Sequence, residues 1–330
     1  MSDDKSTVTP TVNPTATATM KAISQDTLGA PEVLQEVEVP RPKPGIGQIV
    51  VAVHAAGLNP TDYKHRASGM FLGKPPFVLG WDVSGVVEEV GLGVALFQPG
   101  DEVFGMLPYP YGAGSHAEYV AGPARAFVPK PAGLSHVEAG ALPLVGLTAW
   151  QALVDVAQVG PGQRVLIQAA AGGVGHVAVQ IAKARGAYVI GTASAAKHEF
   201  VRGLGADEVI DYRTVDVAAE VRDIDVVLDT LGGEDRLRSL DVLKPGGILV
   251  SLLPVQFDEV TARARELGVR AIAMLVEHDQ AGMRAVAELV ESGGLTVHVA
   301  DTYPLAEAAK AHAEGDTGRV TGKLVLTVRP

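Results

Sequence analysis

A strand, a glycine-rich turn and an amphipathic helix follow one another between residues 164 and 186, and this unit constrains the fold more than any other segment. Residues 165–167 (Val-Leu-Ile) form a short apolar run that is typical of a buried parallel strand. The turn at residues 169–175 contains only Ala, Gly and one Val, so its backbone can pass close to a phosphate group. A helix that begins at such a turn presents free N–H groups and a positive dipole end to an anion. Because an apolar strand also follows at residues 188–190, we predict a dinucleotide site rather than a purely structural unit.

The turn itself is predicted to contact the pyrophosphate of the dinucleotide. The predicted contacts are Ala171, Gly172, Gly173, Val174 and Gly175. One position departs from the G-x-G-x-x-G fingerprint, because Ala170 stands where the first glycine would be. The turn is therefore expected to have a conformation there that an L-residue can adopt.

The segment after the second strand indicates which dinucleotide binds. An NAD site carries an Asp or Glu about 20 residues past the first glycine, which accepts hydrogen bonds from the ribose hydroxyls. Here residues 191–197 read Gly-Thr-Ala-Ser-Ala-Ala-Lys, and no acid occurs before Glu199. Hydroxyl, phenol and ammonium groups can donate to a 2′-phosphate, so we predict NADP(H) rather than NAD(H); the alternative is a solvated loop with two basic residues. The residues predicted to contact this end of the coenzyme are Thr192, Ser194, Lys197 and Tyr212.

The composition excludes several classes of protein. A length of 330 residues fits two domains better than one, and the 47% hydrophobic and 20% charged residues are typical of a globular protein. The net charge of −11 disfavours a nucleic-acid partner or an anionic membrane surface. The chain contains no cysteine, which removes disulfides, thiolate nucleophiles and Cys-ligated zinc. No apolar stretch is long enough for a transmembrane helix, and we expect a cytoplasmic location.

The patterning divides the chain into four parts. Residues 1–19 are rich in Thr, Pro, Ser and Asp and are expected to be a disordered tail. Residues 20–143 predict a strand-rich domain, residues 144–294 alternate short apolar strands with helices, and residues 295–330 return to the first domain. Six strand candidates in the third part predict an α/β fold: a Rossmann doubly wound parallel sheet beside a β-rich domain.

Taken together, these segments resemble the medium-chain dehydrogenase/reductase superfamily, in particular its zinc-independent quinone oxidoreductase and enone reductase branch. The resemblance runs from about residue 20 to residue 328 and implies a groES-like catalytic domain, with the active site between it and the Rossmann domain. The segments that carry the resemblance are 56–62 (Ala-Gly-Leu-Asn-Pro-Thr-Asp), 79–87 (Leu-Gly-Trp-Asp-Val-Ser-Gly-Val-Val), 99–105 (Pro-Gly-Asp-Glu-Val-Phe-Gly), 117–119 (Ala-Glu-Tyr), 147–150 (Leu-Thr-Ala-Trp) and 171–175 (Ala-Gly-Gly-Val-Gly).

The chain departs from the alcohol dehydrogenases of that superfamily where they bind zinc. By resemblance, Asn59 stands in place of a zinc-binding Cys and Trp81 in place of a zinc-binding His, and the four-Cys lobe of a structural zinc is absent. We therefore expect no metal, and Trp81 is expected to form a wall of the cleft. Hydride transfer to a conjugated C=C needs only hydrogen-bond donors and a proton for the developing enolate, so a zinc-free site suits that reaction.

The catalytic candidates follow from the same resemblance and are Asn59, Asp62, Tyr63 and Lys64. Asn59 carries an amide that can hold the substrate carbonyl or the nicotinamide ribose. Lys64 could stabilise the enolate or deliver a proton, with partial burial lowering its pKa, and Tyr63 is the rival donor. The alternative for Lys64 is a surface lysine paired with Asp62 or Asp82.

Further coenzyme contacts are implied by the resemblance alone. Thr148 is expected to place its hydroxyl near the nicotinamide, Leu231 and Gly232 are expected near the adenosine, and Ser251 near the nicotinamide ribose. A contact from Arg319 or Lys323 is left open. The loop at residues 108–111 (Pro-Tyr-Pro-Tyr) either lines the substrate entrance or forms a surface turn.

These observations predict an NADPH-dependent reductase of quinones or α,β-unsaturated carbonyls, with a small molecule as its substrate. One alternative is a zinc-free carbonyl or alcohol dehydrogenase that acts on C=O. Another, outside the enzymes, is an NADPH-binding regulatory or structural protein of the zeta-crystallin type. We also expect a homodimer that pairs the edge strand at residues 269–276 with its copy across a two-fold axis.

Overall fold

The computed structural model describes residues 18–329, and two lobes built on separate sheets account for most of them. The tail expected at residues 1–19 falls almost wholly outside the described residues. Within residues 18–329, no helix is both long and apolar enough to cross a membrane.

The first lobe contains the β-rich part of the chain. Its strands up to the second lobe are β1 (Thr19–Gln25), β2 (Gln35–Pro40), β3 (Gln48–Leu58), β4 (Phe77–Val78), β5 (Asp82–Val90), β6 (Glu102–Met106), β7 (Tyr119–Pro123) and β8 (Phe127–Pro129). Strands β1, β2 and β4 form a small sheet, and β3 lies at the centre of a larger one beside β5 and β7. Strand β3 is long and nearly all buried, because its Val and Ala side chains pack on both faces.

Helix α1 (Pro60–Ser68) begins directly after β3, and its start determines where the catalytic candidates lie. Asn59 has an extended backbone and is the N-cap, and Pro60 occupies the first helical position, where a missing N–H costs nothing. The carboxylate of Asp62 accepts a hydrogen bond from the backbone N–H of Asn59 at 2.7 Å. The helix ends at Gly69, whose φ of 74° is the left-handed conformation that glycine adopts readily.

The second lobe is the predicted Rossmann sheet, and its topology is confirmed. Six parallel strands have the order β11-β10-β9-β12-β13-β14, which is the order of a doubly wound fold. The edge strand β14 is shorter than the predicted residues 269–276. The strands are β9 (Arg164–Ile167), β10 (Tyr188–Thr192), β11 (Glu208–Ile210), β12 (Ile224–Asp229), β13 (Leu243–Ser251) and β14 (Arg270–Ala273).

Helices connect the lobes and cover the Rossmann sheet. They are α2 (His136–Ala141), α3 (Pro143–Trp150), which continues into a π-helical turn (Gln151–Val156), α4 (Gly173–Ala184), α5 (His198–Gly203), α6 (Val217–Glu220), α7 (Gly233–Ser239), α8 (Asp258–Leu267) and α9 (Gln280–Glu291). Helix α4 presents a wide apolar face to the sheet, and Gly186, two residues past its end, has a φ of 80° as a C-cap glycine does.

The last segment of the chain packs on the first lobe through β15 (Val299–Pro304), α10 (Ala308–Asp316) and β16 (Lys323–Thr327). Strand β16 pairs antiparallel with β3, and Leu324 lies opposite Leu58. This register brings Lys323, the first residue of β16, to the end of β3 and the start of α1. The domain boundaries themselves stay predictions.

Candidate active site between the two lobes

The glycine-rich turn lies between β9 and α4, at the carboxyl ends of the parallel strands. Gly172 is the N-cap of α4, and a Cβ at Gly175 would lie 2.2 Å from the carbonyl oxygen of Ala169. Only glycine allows this close approach of the helix to the preceding strand. Ala170 is not among the residues with positive φ, as the sequence required; the left-handed residue is its neighbour Ala169, with a φ of 47°.

The turn fits the diphosphate of a dinucleotide. The first N–H groups of α4 have no partner within the helix and can therefore donate to an anion. Side chains are absent at Gly172 and Gly173, and a Cβ at Gly173 would come within 3.4 Å of Lys323 Cδ. The backbone is therefore open to an anion on one side and packed against the first lobe on the other.

The residues predicted for the adenosine end gather at the neighbouring strand ends. Thr192, Tyr212 and Leu231 line a cavity of about 170 Å³ between β10, β11 and β12. The hydroxyl of Thr192 accepts a hydrogen bond from the N–H of Ala169 at 3.1 Å, so it also stabilises the glycine-rich turn. Tyr212 is 53% exposed and is free to contact a ligand.

Lys197, five residues after Thr192, bridges the lobes. Its ammonium donates to the carbonyl oxygens of Arg319 at 2.8 Å and of Val320 at 3.3 Å, both in the segment before β16. Burial, with the nearby charge of Arg213, lowers the pKa of Lys197. Ser194 is nearly buried at the N-cap of the 3-10 turn (Ala195–Lys197). The structure thus brings Lys197 and the segment around Arg319 together, whereas a coenzyme contact from Arg319 or Lys323 stays a prediction.

Two predicted hydroxyl contacts are already used inside the protein. Thr148 donates to the carbonyl oxygen of Leu144 at 2.6 Å, within α3. Ser251 is buried and donates to the carboxylate of Asp229 at 2.6 Å. The other oxygen of Asp229 accepts the N–H groups of Leu231 and Gly232, so Ser251 indirectly determines the shape of the loop after β12.

A closed network of buried polar side chains forms the opposite side of the cleft. The ammonium of Lys323 donates to Asn59 Oδ1 at 2.5 Å and to the carbonyl oxygen of Leu58 at 2.6 Å, and it lies 3.4 Å from Asp82 Oδ2. Asn59 Nδ2 donates to Asp82 Oδ2 at 2.9 Å, and the backbone N–H of Leu144 donates to Asp82 Oδ1 at 2.6 Å. Every side chain in this network is almost completely buried. Asn59 therefore has its amide hydrogens engaged by Asp82 and, at 3.4 Å, by the Gly57 carbonyl.

Burial dominates the electrostatics of this network. It raises the pKa of Asp62 to about 7, although hydrogen bonds from the Asn59 and Gly80 backbone favour the carboxylate. Burial also raises the pKa of Asp82, which the charge of Lys323 opposes, and lowers the pKa of Lys323, which Asp82 opposes. Gly57 makes room for this pair, since a Cβ there would lie 2.6 Å from Asp82 Oδ2.

The structure separates the two other catalytic candidates from the network. The partial burial expected of Lys64 is wrong, because its side chain is exposed. Helical geometry explains the error: α1 turns by 100° per residue, so Lys64 faces solvent when Asp62 faces the core. Tyr63 packs against Gly315 and, edge to face, against His312 of α10, with ring centroids 5.2 Å apart. The lysine that the structure places beside Asn59 and Asp82 is Lys323.

An aromatic group adjoins the network on the catalytic lobe. Trp81 precedes Asp82, is fully buried, and contacts Tyr109 with ring centroids 5.2 Å apart. His65 and Phe71 pack against the same rings. Tyr109 belongs to the loop at residues 108–111 and packs on this aromatic group, whereas Tyr111 in the same loop is 77% exposed, so the choice between a substrate entrance and a surface turn stays open.

His176 connects the glycine-rich turn to the last segment of the chain. Its Nε2 accepts the backbone N–H of His298 at 3.2 Å, so the hydrogen lies on Nδ1 and is donated to the carbonyl oxygen of Gly172 at 2.9 Å. Burial lowers the pKa of His176 to about 4, which keeps the ring neutral. The N–H of Gly322 donates to the carbonyl oxygen of Ala171 at 2.9 Å, so residues 298 and 322 both join the turn to β16.

The chain is similar to known proteins over nearly its whole length. A model of the alcohol dehydrogenase GroES-like domain matches residues 45–132, and a model of a zinc-binding dehydrogenase domain matches residues 204–326. The chain is 37% identical to the 2-haloacrylate reductase of Burkholderia sp over 90% of this chain and 96% of that protein. It matches the structure of the quinone oxidoreductase from Coxiella burnetii with a TM-score of 0.90 and 38% identity, over 94% of this chain and 100% of the other.

The chain belongs to the medium-chain dehydrogenase/reductase superfamily, in its quinone oxidoreductase branch. A further match is the Escherichia coli quinone oxidoreductase complexed with NADPH, with a TM-score of 0.84 and 30% identity over 94% of this chain and 100% of that structure. The predicted family, the predicted α/β fold and, at the coarse level, the prediction of an oxidoreductase with a nicotinamide coenzyme are confirmed. Within residues 18–329, no group of three or more His, Cys, Asp or Glu is arranged to hold a metal ion. The term zinc-binding in the description of the second domain model refers to that model alone.

Proposed function

We propose that this quinone oxidoreductase relative is a zinc-independent, NADPH-dependent reductase that acts on a quinone or on the C=C of an α,β-unsaturated carbonyl compound. The observation that carries the proposal is that two surfaces lie across one cleft. One is the glycine-rich turn, whose backbone can bind a diphosphate. The other is the catalytic-lobe wall, in which the buried cation is the ammonium of Lys323. When bound, the nicotinamide supplies a hydride to the substrate, which takes up a proton as well.

The catalytic-lobe wall supports chemistry without zinc. Asn59 and Trp81 replace the zinc ligands of the related alcohol dehydrogenases, and neither side chain is a usual zinc ligand. The carboxylate of Asp82 is instead paired with the ammonium of Lys323. Without a Lewis acid an alcohol is hard to deprotonate, whereas an enone or quinone needs only hydrogen-bond donors at its oxygen.

The cation at the adenosine end supports NADPH over NADH. The charge of Arg213 acts on Lys197, and a hydrogen bond from the Ala195 N–H to Asp211 joins the segments that carry Ser194 and Tyr212. A 2′-phosphate bound between these segments would meet ammonium, hydroxyl and phenol donors. No carboxylate stands at the end of β10, where an NAD site needs one. Asp211 is close, but both of its oxygens accept backbone N–H groups, from Ala195 and Arg213.

The chain's own residues position the reaction. Gly172 and Gly173 expose the turn that binds the diphosphate, and His176 ties that turn to β16. Lys323, Asp82 and Asn59 form a rigid wall, since each polar hydrogen in the network has a partner. This wall closes one side of the cleft against water and determines where a substrate can lie relative to the coenzyme.

The test is turnover of the purified protein with a panel of quinones and enones, followed as loss of NADPH absorbance, with analysis of the products. A saturated ketone or a hydroquinone supports the proposal. An allylic alcohol would favour the alternative that the enzyme reduces C=O. Tight NADPH binding without turnover of any acceptor would favour the regulatory or structural alternative.

Metal dependence and coenzyme choice are measured in parallel. Activity should survive dialysis against EDTA, with less than stoichiometric zinc by elemental analysis. Titration should give a lower Kd for NADPH than for NADH. Either a zinc requirement or an NADH preference would contradict the proposal.

The assembly and location that we propose are a homodimer paired through β14 and a cytoplasmic enzyme. Exposed apolar side chains at Ile272 and Leu275 lie on and just after this edge strand, where a two-fold copy could cover them. Light scattering at micromolar concentration should give twice the chain mass, and a monomer mass would contradict the dimer.

A further inference from the structure

The wall of the cleft offers few donors for a substrate oxygen. Lys323 has three acceptors in Leu58, Asn59 and Asp82, and the amide hydrogens of Asn59 are engaged as well. Lys64 is exposed, and Tyr63 packs against α10. An oxygen that gains negative charge therefore needs another donor.

Hydrogen bonds around His65 form a chain whose direction can be derived. The N–H of Phe71 donates to His65 Nε2 at 3.4 Å, so this nitrogen carries no hydrogen. His65 Nδ1 lies 2.7 Å from the carbonyl oxygen of Thr61, which can only accept, so the ring hydrogen is on Nδ1. Both contacts require the same neutral tautomer, and burial lowers the pKa of His65 in agreement with it.

The tautomer of His65 determines what the Thr61 hydroxyl does. His65 Nδ1 also lies 3.1 Å from Thr61 Oγ1, and because Nδ1 bears the hydrogen, it cannot accept from that hydroxyl. Thr61 instead donates to the phenol oxygen of Tyr109 at 3.1 Å. The phenol oxygen accepts this bond, and the hydrogen of Tyr109 has no acceptor assigned to it among the described residues.

Tyr109 is also placed to meet a ligand. It is only partly buried, and its ring stands edge-on to Trp81 and Phe71 with centroids 5.2 and 6.3 Å away. Its phenol bonds to Thr61, two residues after Asn59, and the charge of Asp62 acts on it, so the phenol lies near the start of α1, where Asn59 joins the network. Flat, conjugated substrates suit such a wall of rings.

We infer that Tyr109 is the catalytic residue that donates a hydrogen bond to the substrate oxygen, and that Thr61 and His65 are positioning residues that orient its hydroxyl. This inference rests on the proposed function and identifies a donor that the sequence alone left undetermined. The bond strengthens as charge moves onto the oxygen of the enolate or quinol, which is how a fixed donor lowers a barrier. Burial raises the pKa of Tyr109, so it donates a hydrogen bond and keeps its proton.

The first test is Tyr109→Phe, which removes only the hydroxyl. We expect kcat with 2-cyclohexen-1-one or 1,4-benzoquinone to fall about 100-fold, the loss typical of one oxyanion donor, with an unchanged Kd for NADPH. The matched control is Tyr188→Phe, which removes a phenol hydroxyl bonded to Glu208 at the opposite end of β10 and should keep full activity. An unchanged kcat in Tyr109→Phe would overturn the inference.

Thr61 variants test the orientation and remain informative if Tyr109→Phe does not fold. Thr61→Val removes the hydroxyl at constant shape and should lower kcat about 3- to 10-fold, in line with the loss of one neutral hydrogen bond. Thr61→Ser should restore the activity, which a purely structural role of the methyl group would not predict. Equal activity in Thr61→Val and wild type would contradict the role of Thr61 in orienting the Tyr109 hydroxyl.

A binding measurement separates this inference from the proposed function. Cyclohexanone binding to the NADP⁺ complex reports the hydrogen bond to a carbonyl without turnover, and its Kd should rise about tenfold in Tyr109→Phe. If wild type turns over no acceptor but shows this difference, the proposed function fails and the inference stands. If wild type is active and the two Kd values are equal, or if neither protein binds the ketone, the inference fails.

Trp81 is the rival donor, because its Nε1 is buried and has no partner among the described residues. Trp81→Phe therefore tests the alternative. A loss of kcat of about 100-fold in Trp81→Phe, with Tyr109→Phe active, would assign the role to the indole.

Discussion

The two sides of the cleft are built in different ways. On the Rossmann side, backbone groups of one continuous segment around Gly172 and Gly175 form the proposed diphosphate site, and side chains matter mainly by being absent. On the catalytic-lobe side, polar side chains from three distant segments meet: Asn59, Asp82 and Lys323. The first kind of site tolerates changes that keep its turn, whereas the second depends on each partner, because an unpaired buried charge is costly.

The largest expected effect breaks the side-chain network. Lys323→Met leaves Asp82 buried without its cation, and the free energy of unfolding should fall by about 3–5 kcal/mol. The exposed Lys64→Met is the control and should change it by less than about 0.5 kcal/mol. Urea denaturation measures both. A small loss of stability in Lys323→Met would show that the side-chain network does not depend on each of its partners.

The next effect breaks the backbone site. A Cβ at Gly175 would collide with the Ala169 carbonyl oxygen, which belongs to the backbone and cannot rotate away. Gly175→Ala should therefore cost about 1–3 kcal/mol and weaken NADPH binding at least about tenfold. Gly160→Ala is the matched control, since nothing lies within 4 Å of its Cβ position. Fluorescence titration with NADPH checks both variants, and equal Kd values would contradict the close approach.

A smaller effect sharpens the coenzyme side. Lys197→Ala should raise the Kd for NADPH about 10- to 100-fold and leave the Kd for NADH nearly unchanged, since a hydrogen bond to a charged group contributes about 1.5–3 kcal/mol. Lys244→Ala removes an equal charge that is 47% exposed and paired with Asp225 at the amino ends of β12 and β13, and it serves as control. Equal weakening of NADPH and NADH would mean that Lys197 supports the adjoining segment instead of a 2′-phosphate.

The last expected effect is gradual, because it accumulates with pH, and it concerns the side-chain network. Burial raises the pKa of Asp62 from 3.8 to about 7, so the folded state favours the neutral carboxyl. Between pH 3.8 and about 7, the folded state therefore binds more protons at Asp62 than the unfolded state does. The stability that the neutral Asp62 contributes is lost as the pH rises through about 7. Asp62→Asn should gain stability relative to wild type over that interval, by on the order of 1 kcal/mol per pH unit. If the free energies of unfolding of the two proteins changed with pH in parallel, the raised pKa of Asp62 would be refuted.

The comparison also explains what could be read in advance. The strands and the turn at residues 164–175 were predictable because apolar periodicity and glycine spacing are local signals. Lys64 was a candidate through the family resemblance, and the turn of α1 directs its side chain to solvent. Lys323 stands 264 residues from Asn59 and gave no comparable signal, apart from being a charged residue that opens an apolar strand.

The chain of hydrogen bonds from His65 through Thr61 to Tyr109 had no sequence signature either. Thr61 and His65 are one helical turn apart, which the sequence does show, but their link to Tyr109 depends on the path of the loop at residues 108–111. Loop paths are determined by packing against neighbouring strands, and no local periodicity encodes them.

By itself the sequence determined the doubly wound sheet, the position of its dinucleotide turn and the family, because these depend on hydrophobic period, backbone freedom and contiguous motifs. The tertiary structure alone decided which cation faces Asn59, which hydroxyls are bonded inside the protein and which phenol Thr61 contacts. Those answers require side chains from distant segments to meet in a buried space, and only the pairing of β16 with β3 and the packing of α1 bring them there.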